Sequence, residues 1–289
     1  MTTPAPALSS ASGATAADPA DSPLAAAYDT AGALVPGLRI TEEAPRHGGG
    51  WLRTDRLAGD RAVLERFLAE ERERTRRAYG APGRPDVAAG LALHRCAWPA
   101  ASLFTLPWFL LRRVPRIAAA DVSFHPGRGR VTVRPGLRFH CLPDDPAAAL
   151  PGALPVSGEA ALRDAVRAAA AGYLSPLLEA FRPRLRRGRR ALWGLATDEL
   201  AGSLWYFGRL LGREREAVAA AERLLPGVTA PYTGRAGFRE LTAPDGTSHG
   251  VTRDRVTCCL FYTLRPEETC STCPRTCDTQ RIEQLNRIR

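Results

Sequence analysis

Arg253-Asp-Arg-Val-Thr-Cys258-Cys259-Leu-Phe-Tyr262 leads into Cys270-Ser-Thr-Cys273, and the rest of the 289-residue chain is best read outward from this stretch. The spacing is C-C-x10-C-x2-C, with Cys277 just beyond it. Cys270 and Cys273 form a chelating pair, because a two-residue spacer lets both thiolates reach one metal centre. The adjacent pair Cys258-Cys259 is less usual, since neighbouring side chains on a strand point to opposite faces. Both can serve one centre only if the backbone turns there or the strand ends. Four thiolates suit a [2Fe–2S] cluster, a [4Fe–4S] cluster or a structural Zn²⁺ ion. A disulfide staple is a further alternative, and Cys270, Cys273 and Cys277 could hold three corners of a [4Fe–4S] cluster. Counting ligands does not separate these.

Length and composition describe a body large enough to fold without metal. The chain is 45% hydrophobic and 24% charged, ordinary for a globular protein. The formal net charge is +10, and all 40 basic residues are Arg, with no Lys. An excess of this size attracts acidic proteins, anionic chelates, nucleic acid or anionic lipid. Leu103 to Leu111, the longest apolar run, is far shorter than the roughly 20 residues of a membrane span. The N-terminus has neither a basic n-region nor an apolar h-region, so a cytoplasmic location is expected. Clustered cysteines there point to metal or catalysis before disulfides.

Along the chain, residues 1 to about 28 are poor in large apolar side chains and read as a disordered tail. Ala33-Leu34-Val35 and Leu38-Arg39-Ile40 read as short strands. Residues 59–79 read as a helix ended by Gly80-Ala-Pro82-Gly83, and residues 86–111 as a buried helical region interrupted at Pro99 and Pro107. Three short strands are expected over 118–125, 129–134 and 137–142. A loop follows, from Pro143 to Pro155. Helices are expected over 157–181, with Ser157 as the cap, and over 190–211 and 214–225. Residues 226–250 read as loop and 251–263 as a strand. The predicted fold class is α+β: a helix-rich domain over 29–250 with a short antiparallel sheet, then a small C-terminal module over 251–289.

The cysteine spacing resembles the signature of the FhuF-type ferric siderophore reductases. Arg253 to Tyr262 is similar to that family's basic segment, Cys pair and following aromatic. Leu192-Trp193-Gly-Leu-Ala-Thr-Asp198 through Leu211-Gly212 resembles its penultimate helix. The resemblance implies a [2Fe–2S] cluster on Cys258, Cys259, Cys270 and Cys273, and an iron-sulfur oxidoreductase of iron uptake that reduces ferric siderophores. One electron turns Fe(III), held tightly by hard oxygen donors, into Fe(II), which they hold far more weakly. Arg253 and Arg255 would add positive charge beside such a cluster, unless they are solvated strand residues. No G-x-G-x-x-G fingerprint follows a strand, so the electron is expected from a partner such as a ferredoxin or a flavin reductase. The competing class is a zinc- or cluster-bearing regulatory module that binds nucleic acid or protein.

Arg182 to Arg190 holds six arginines and reads first as a solvated junction between helices. Its functional readings are docking of an acidic donor, an anionic chelate or the inner membrane surface. Nucleic acid is not expected, because no aromatic side chains interleave with these arginines. His47-Gly-Gly-Gly50 resembles an oxyanion loop, but without a G-x-S-x-G elbow it reads as flexible chain. His94, His125 and His140 stand alone and read as structural. Trp193, Trp205 and Tyr206 read as core or as a wall of the chelate site. Cys96 and Cys141 read as buried small residues.

Overall fold

A computed structural model describes residues 22–267 and 269–288, and among these the chain is α+β. In chain order the elements are α1 (Ala25–Leu34), β1 (Arg39–Glu42), β2 (Leu52–Arg53), α2 (Thr54–Gly59), α3 (Arg61–Tyr79), α4 (Pro85–Leu111), β3 (Val114–Pro115), β4 (Val122–His125), β5 (Arg130–Val133), β6 (Phe139–Cys141), β7 (Ala153–Pro155), α5 (Glu159–Leu185), α6 (Arg189–Leu210), α7 (Glu214–Leu224), β8 (Gly237–Thr242), β9 (Ser248–Asp254) and α8 (Asp278–Ile288).

α4 is the axis of the body. It opens with Pro85 at its first turn, where the missing N–H has no intrahelical partner to lose. It is apolar on nearly every side, the pattern of a helix buried all round. α1, α3, α5 and α6 all pack against it. One continuous hydrophobic core runs from Leu24 to Ala236. Polar groups inside the body are paired with one another: Ser203 Oγ of α6 lies 3.1 Å from Ser102 Oγ and 2.8 Å from Thr105 Oγ1 of α4, and Thr54 Oγ1 lies 2.8 Å from Tyr173 Oη. Such pairing removes the cost of an unsatisfied buried hydroxyl. No helix among the described residues is long and apolar enough to cross a membrane.

Pro99 and Pro107 do not interrupt the second helical region; α4 runs unbroken through both. Pro107 cannot donate to the carbonyl of Leu103, four residues back. Tyr28 Oη donates to that carbonyl instead, at 3.2 Å. Tyr28 also explains why the tail ends earlier than residue 28. Leu24, Ala27 and Tyr28 are buried in the core, and α1 begins at Ala25. Residues 1–21 of the expected tail lie outside the described residues. Ala33 and Leu34 close α1 and are not a strand, whereas the second expected strand is present as β1.

The strands form three small sheets. The first has the order β1-β5-β4-β2, with β1 parallel to β5 and the other pairs antiparallel, so it is mixed where an antiparallel sheet was expected. β6 leaves this sheet and pairs with β3 and β7, because Phe139 and Cys141 face a separate small cluster with Ala147. Ser157 does not cap α5; Gly158 precedes it with no side-chain cap, and the helix continues to Leu185 because Phe181 and Leu185 extend its buried stripe. The 226–250 region contains β8, which pairs with β9 in an antiparallel hairpin. Pro244-Asp245-Gly246 makes its turn: Gly246 N–H donates to the Ala243 carbonyl at 2.9 Å, and Gly246 adopts φ 87°, which only Gly takes without strain. A boundary between residues 250 and 251 would therefore cut β9 in two, and 251–263 is not one strand, since β9 ends at Asp254.

Tyr28→Phe leaves the Leu103 carbonyl buried without a donor. The expected loss is about 1–3 kcal/mol of stability, read as a lower denaturation midpoint in urea with an unchanged slope.

Candidate metal centre

One face of α6 is shaped to receive the segment that carries the cysteine pair. Gly194, Asp198 and Gly202 are spaced by four and so lie above one another on the helix. A Cβ at Gly194 would stand 2.7 Å from Thr257 Cγ2 and 2.9 Å from Val256 Cγ1, and one at Gly202 would stand 3.0 Å from Arg253 Nη1. The two glycines let the backbone of 253–257 press directly onto the helix. Asp198, only 3% exposed, occupies the space between them. Its Oδ1 accepts from the Val256 N–H at 2.9 Å. Its Oδ2 accepts from the Thr257 N–H at 2.9 Å and the Thr257 hydroxyl at 2.8 Å. Arg255 Nε lies 3.6 Å from Oδ2, and Arg253 Nη1 donates to the Asp198 carbonyl. A buried carboxylate with this many partners is the fully satisfied case; without them it would cost several kcal/mol.

The backbone then turns. β9 ends at Asp254, Leu260 adopts φ 62°, and a single 3-10 turn spans Phe261–Thr263. This is the bend that two adjacent cysteines need in order to serve one centre. The Leu260 N–H points at Cys258 Sγ, 3.4 Å away, and the Phe261 N–H at the Cys259 thiol. On the other side, Cys273 N–H donates to the Cys270 carbonyl at 2.9 Å, closing the CxxC turn. Arg281 of α8 donates to the Cys273 carbonyl at 3.0 Å, and Arg187 to the Cys258 carbonyl at 2.7 Å.

The four thiols come together as two pairs, Cys259 with Cys270 and Cys258 with Cys273, each within hydrogen-bonding reach. Cys277 is exposed and outside the group, and Cys96 and Cys141 are buried elsewhere in the body. Among the described residues, no three Cys, His, Asp or Glu side chains close around a single metal-ion position. Two pairs of thiols make a donor set that a two-iron cluster can use. The Cys259 thiol is held well below its usual range, because the Cys270 thiol donates to it and Arg255 and His94 bring positive charge. The Cys270 thiol is pushed up by the same bond and by burial, and burial raises Cys258. A stabilised thiolate is the form that binds metal.

The surrounding charge also fits an anionic cluster. Arg253 is 8% exposed, and its Nε and that of Arg255 are buried without a hydrogen-bond partner among the described residues. These two arginines are thus not solvated strand residues; the fold turns them inward beside the thiols. Burial costs a guanidinium its hydration, and a negative group next to it restores the balance.

Residues 255–275 match the family model of the FhuF 2Fe-2S C-terminal domain. The match indicates a [2Fe–2S] cluster as the cofactor, and the four gathered thiols fit it. No curated protein matches the chain. The FhuF-type segment contains Arg255 and the four cysteines but not Cys277, and it contains no part of α6. The clamp at Asp198 is therefore supplied by chain outside the matched segment.

Three functional positions were not singled out by sequence. Asp198 was quoted only as part of a helix, Arg187 only within an arginine run, and His94 as structural. His94 Nδ1 is 2.7 Å from Glu199 Oε1, and Glu199 is buried while the imidazole is about half exposed, at 52%. The carboxylate raises the affinity of His94 for its proton. The available signal was Thr197-Asp198-Glu199, two consecutive acids on an otherwise apolar helix, which is rare without a partner to meet them. The arginine run is no plain solvated junction: Arg182 and Arg189 pair with Glu179, Arg184 pairs with Glu65, and Arg187 reaches the cluster segment.

Asp198→Ala removes every acceptor for the backbone of 256–257 and leaves Arg255 without its carboxylate. A destabilisation of about 3–5 kcal/mol follows for a buried ion pair broken on one side. It should appear as loss of iron during purification, while far-ultraviolet circular dichroism of the helical body is retained.

Proposed function

We propose that this protein is a ferric siderophore reductase that works in the cytoplasm, with Cys258, Cys259, Cys270 and Cys273 as the ligands of its [2Fe–2S] cluster. The observation that carries this reading is a cavity of about 240 Å³ whose wall includes both Cys259 and Cys270. A purely structural metal clip has no need of an open space beside its ligands. When bound, the cluster supplies one electron at a time. The substrate Fe(III) takes that electron, becomes Fe(II) and is released, because Fe(II) is a softer ion with lower charge density.

The chain's own residues set the conditions for this step. The N–H groups of Leu260 and Phe261 and the cations Arg253 and Arg255 stabilise added negative charge on the thiolates, which raises the potential. Leu91, Leu185, Leu192 and Phe261 give the same cavity an apolar wall. The electron reaches the protein from an acidic carrier such as a ferredoxin, or from a flavin reductase. The arginines of 182–190 lie at the cluster's edge through Arg187 and suit such a partner. Seven free cysteines, five of them within residues 258–277, support a reducing compartment.

Anaerobic visible and EPR spectra before and after dithionite, with iron and sulfide analysis, test the reading. The expected protein is reddish brown, carries iron and sulfide in equal amounts and shows a rhombic signal on reduction; a ferric chelate then restores the oxidised spectrum. Cys258→Ser, Cys259→Ser, Cys270→Ser and Cys273→Ser each abolish or alter that signal, whereas Cys277→Ser keeps it. A colourless protein holding one zinc would refute the proposal.

A further inference from the structure

The four cysteines differ in what surrounds them. Cys259 and Cys270 stand in the wall of the cavity of about 240 Å³, and neither Cys258 nor Cys273 does. Through Leu91 and His94 that cavity adjoins a larger one of about 590 Å³, so the side of Cys259 and Cys270 is the one with open space beside it. Cys273 is buried, at 2% exposure. Its carbonyl is tied down by Arg281 and that of Cys258 by Arg187.

The spacing of the thiols decides how they divide. Two thiolates on one tetrahedral metal atom stand about 4 Å apart, and thiolates on neighbouring metal atoms stand farther apart. Cys259 and Cys270 lie within hydrogen-bonding reach of each other, which is the spacing for one metal atom, and so do Cys258 and Cys273. Chain neighbours are thus separated: the left-handed turn at Leu260 lets Cys258 and Cys259 face different partners, and the CxxC pair is split between them.

The charge divides along the same line. Arg255 stands in the cavity wall and acts on both Cys259 and Cys270, Arg253 acts on Cys270, and His94 acts on Cys259. The two carboxylates nearby are engaged elsewhere, Asp198 by the N–H groups of Val256 and Thr257 and Glu199 by His94. The Cys258 thiol is governed instead by its burial, by the Leu260 N–H at 3.4 Å and by the neighbouring thiols. Arg187 and Arg281 meet this second pair at carbonyl oxygens, not at sulfur.

We infer that Cys259 and Cys270 hold one iron of the cluster and Cys258 and Cys273 the other, and that an added electron settles on the iron of Cys259 and Cys270. That iron passes from Fe(III) to Fe(II) when a donor gives one electron, while the iron of Cys258 and Cys273 stays Fe(III). The cations beside the first pair stabilise the added negative charge there. The division of the irons needs only a two-iron cluster. Exit of the same electron through the cavity wall to a ferric chelate rests on the reductase reading.

A serine oxygen is a harder donor than a thiolate and favours Fe(III), so its effect depends on which iron it meets. In protein enriched in the Mössbauer isotope of iron, Cys259→Ser and Cys270→Ser should each lower the reduction potential and shift the ferrous component of the reduced spectrum. Cys258→Ser and Cys273→Ser should shift the ferric component, with a smaller fall in potential. With all four cysteines in place, Arg255→Gln should lower the potential more than Arg187→Gln does. Serine variants that sort by sequence, 258 with 259 and 270 with 273, overturn the pairing. Equal effects at all four, or the larger effect at Cys258, Cys273 and Arg187, overturn the placement of the electron. Where a serine variant retains no iron, the pairing is read from full-length Cys277→Ser protein stripped with a chelator and oxidised with diamide. Peptide mapping should then find Cys259 joined to Cys270 and Cys258 to Cys273; bonds within each sequence pair overturn the division. If the variants sort as expected and no ferric chelate reoxidises the reduced protein, the reductase reading alone falls. If chelates reoxidise it and the variants sort otherwise, the assignment of the irons alone falls.

Discussion

A single buried carboxylate fixes the segment that carries the cysteine pair against the helical body. Asp198 sits on α6, a helix of the main body, and takes three hydrogen bonds from Val256 and Thr257, the residues immediately before the cysteine pair. A short segment without regular structure has little of its own to fix its shape. Its conformation must come from neighbours, and charge-assisted bonds to a desolvated carboxylate are among the strongest available. Gly194 and Gly202 on the same face make the approach close enough for those bonds to form.

That attachment decides how the thiols are presented. β9 comes in from the hairpin, the chain is clamped at 256–257, and the left-handed Leu260 then folds the backbone back. Cys258 and Cys259, which on a continuing strand would diverge, meet Cys273 and Cys270 instead. Arg187 and Arg281 secure the carbonyls of Cys258 and Cys273 from either side. Glu199, next to Asp198 in sequence, points one step around α6 to His94. One helical turn thus orders both the cluster segment and the histidine that borders the open cavities.

The basic excess of the sequence acquires a local meaning in this arrangement. Many arginines form exposed pairs along helices, such as Arg76 and Arg77 with Glu73, where each contributes little. Arg253 and Arg281 are buried near the thiols and Arg255 nearly so, where low dielectric makes their charge act strongly on an anionic group. Composition alone does not separate these two populations, because exposed and buried arginines are the same letter.

Much was legible in the sequence where the signal is local. The helices of 59–79, 190–211 and 214–225 follow from spacing of apolar residues, and the four cysteines from their own separation. The proline-containing α4 was misread because the donor that rescues the Leu103 carbonyl, Tyr28, lies 75 residues away. β8 and the start of β9 fall in the stretch that reads as loop, because Gly and Pro in the turn mask the pairing, while residues 251–254 read correctly as strand. By itself the sequence determined the α+β class, the ligand set expected of the cysteine motif and the apolar character of α4, all of which rest on residues close in the chain. Only tertiary structure decided that the cysteine pair turns, that Arg253 and Arg255 face inward, and that His94 stands beside Cys259. Each of these depends on desolvated charges from distant segments meeting in space, and no periodicity records such a meeting.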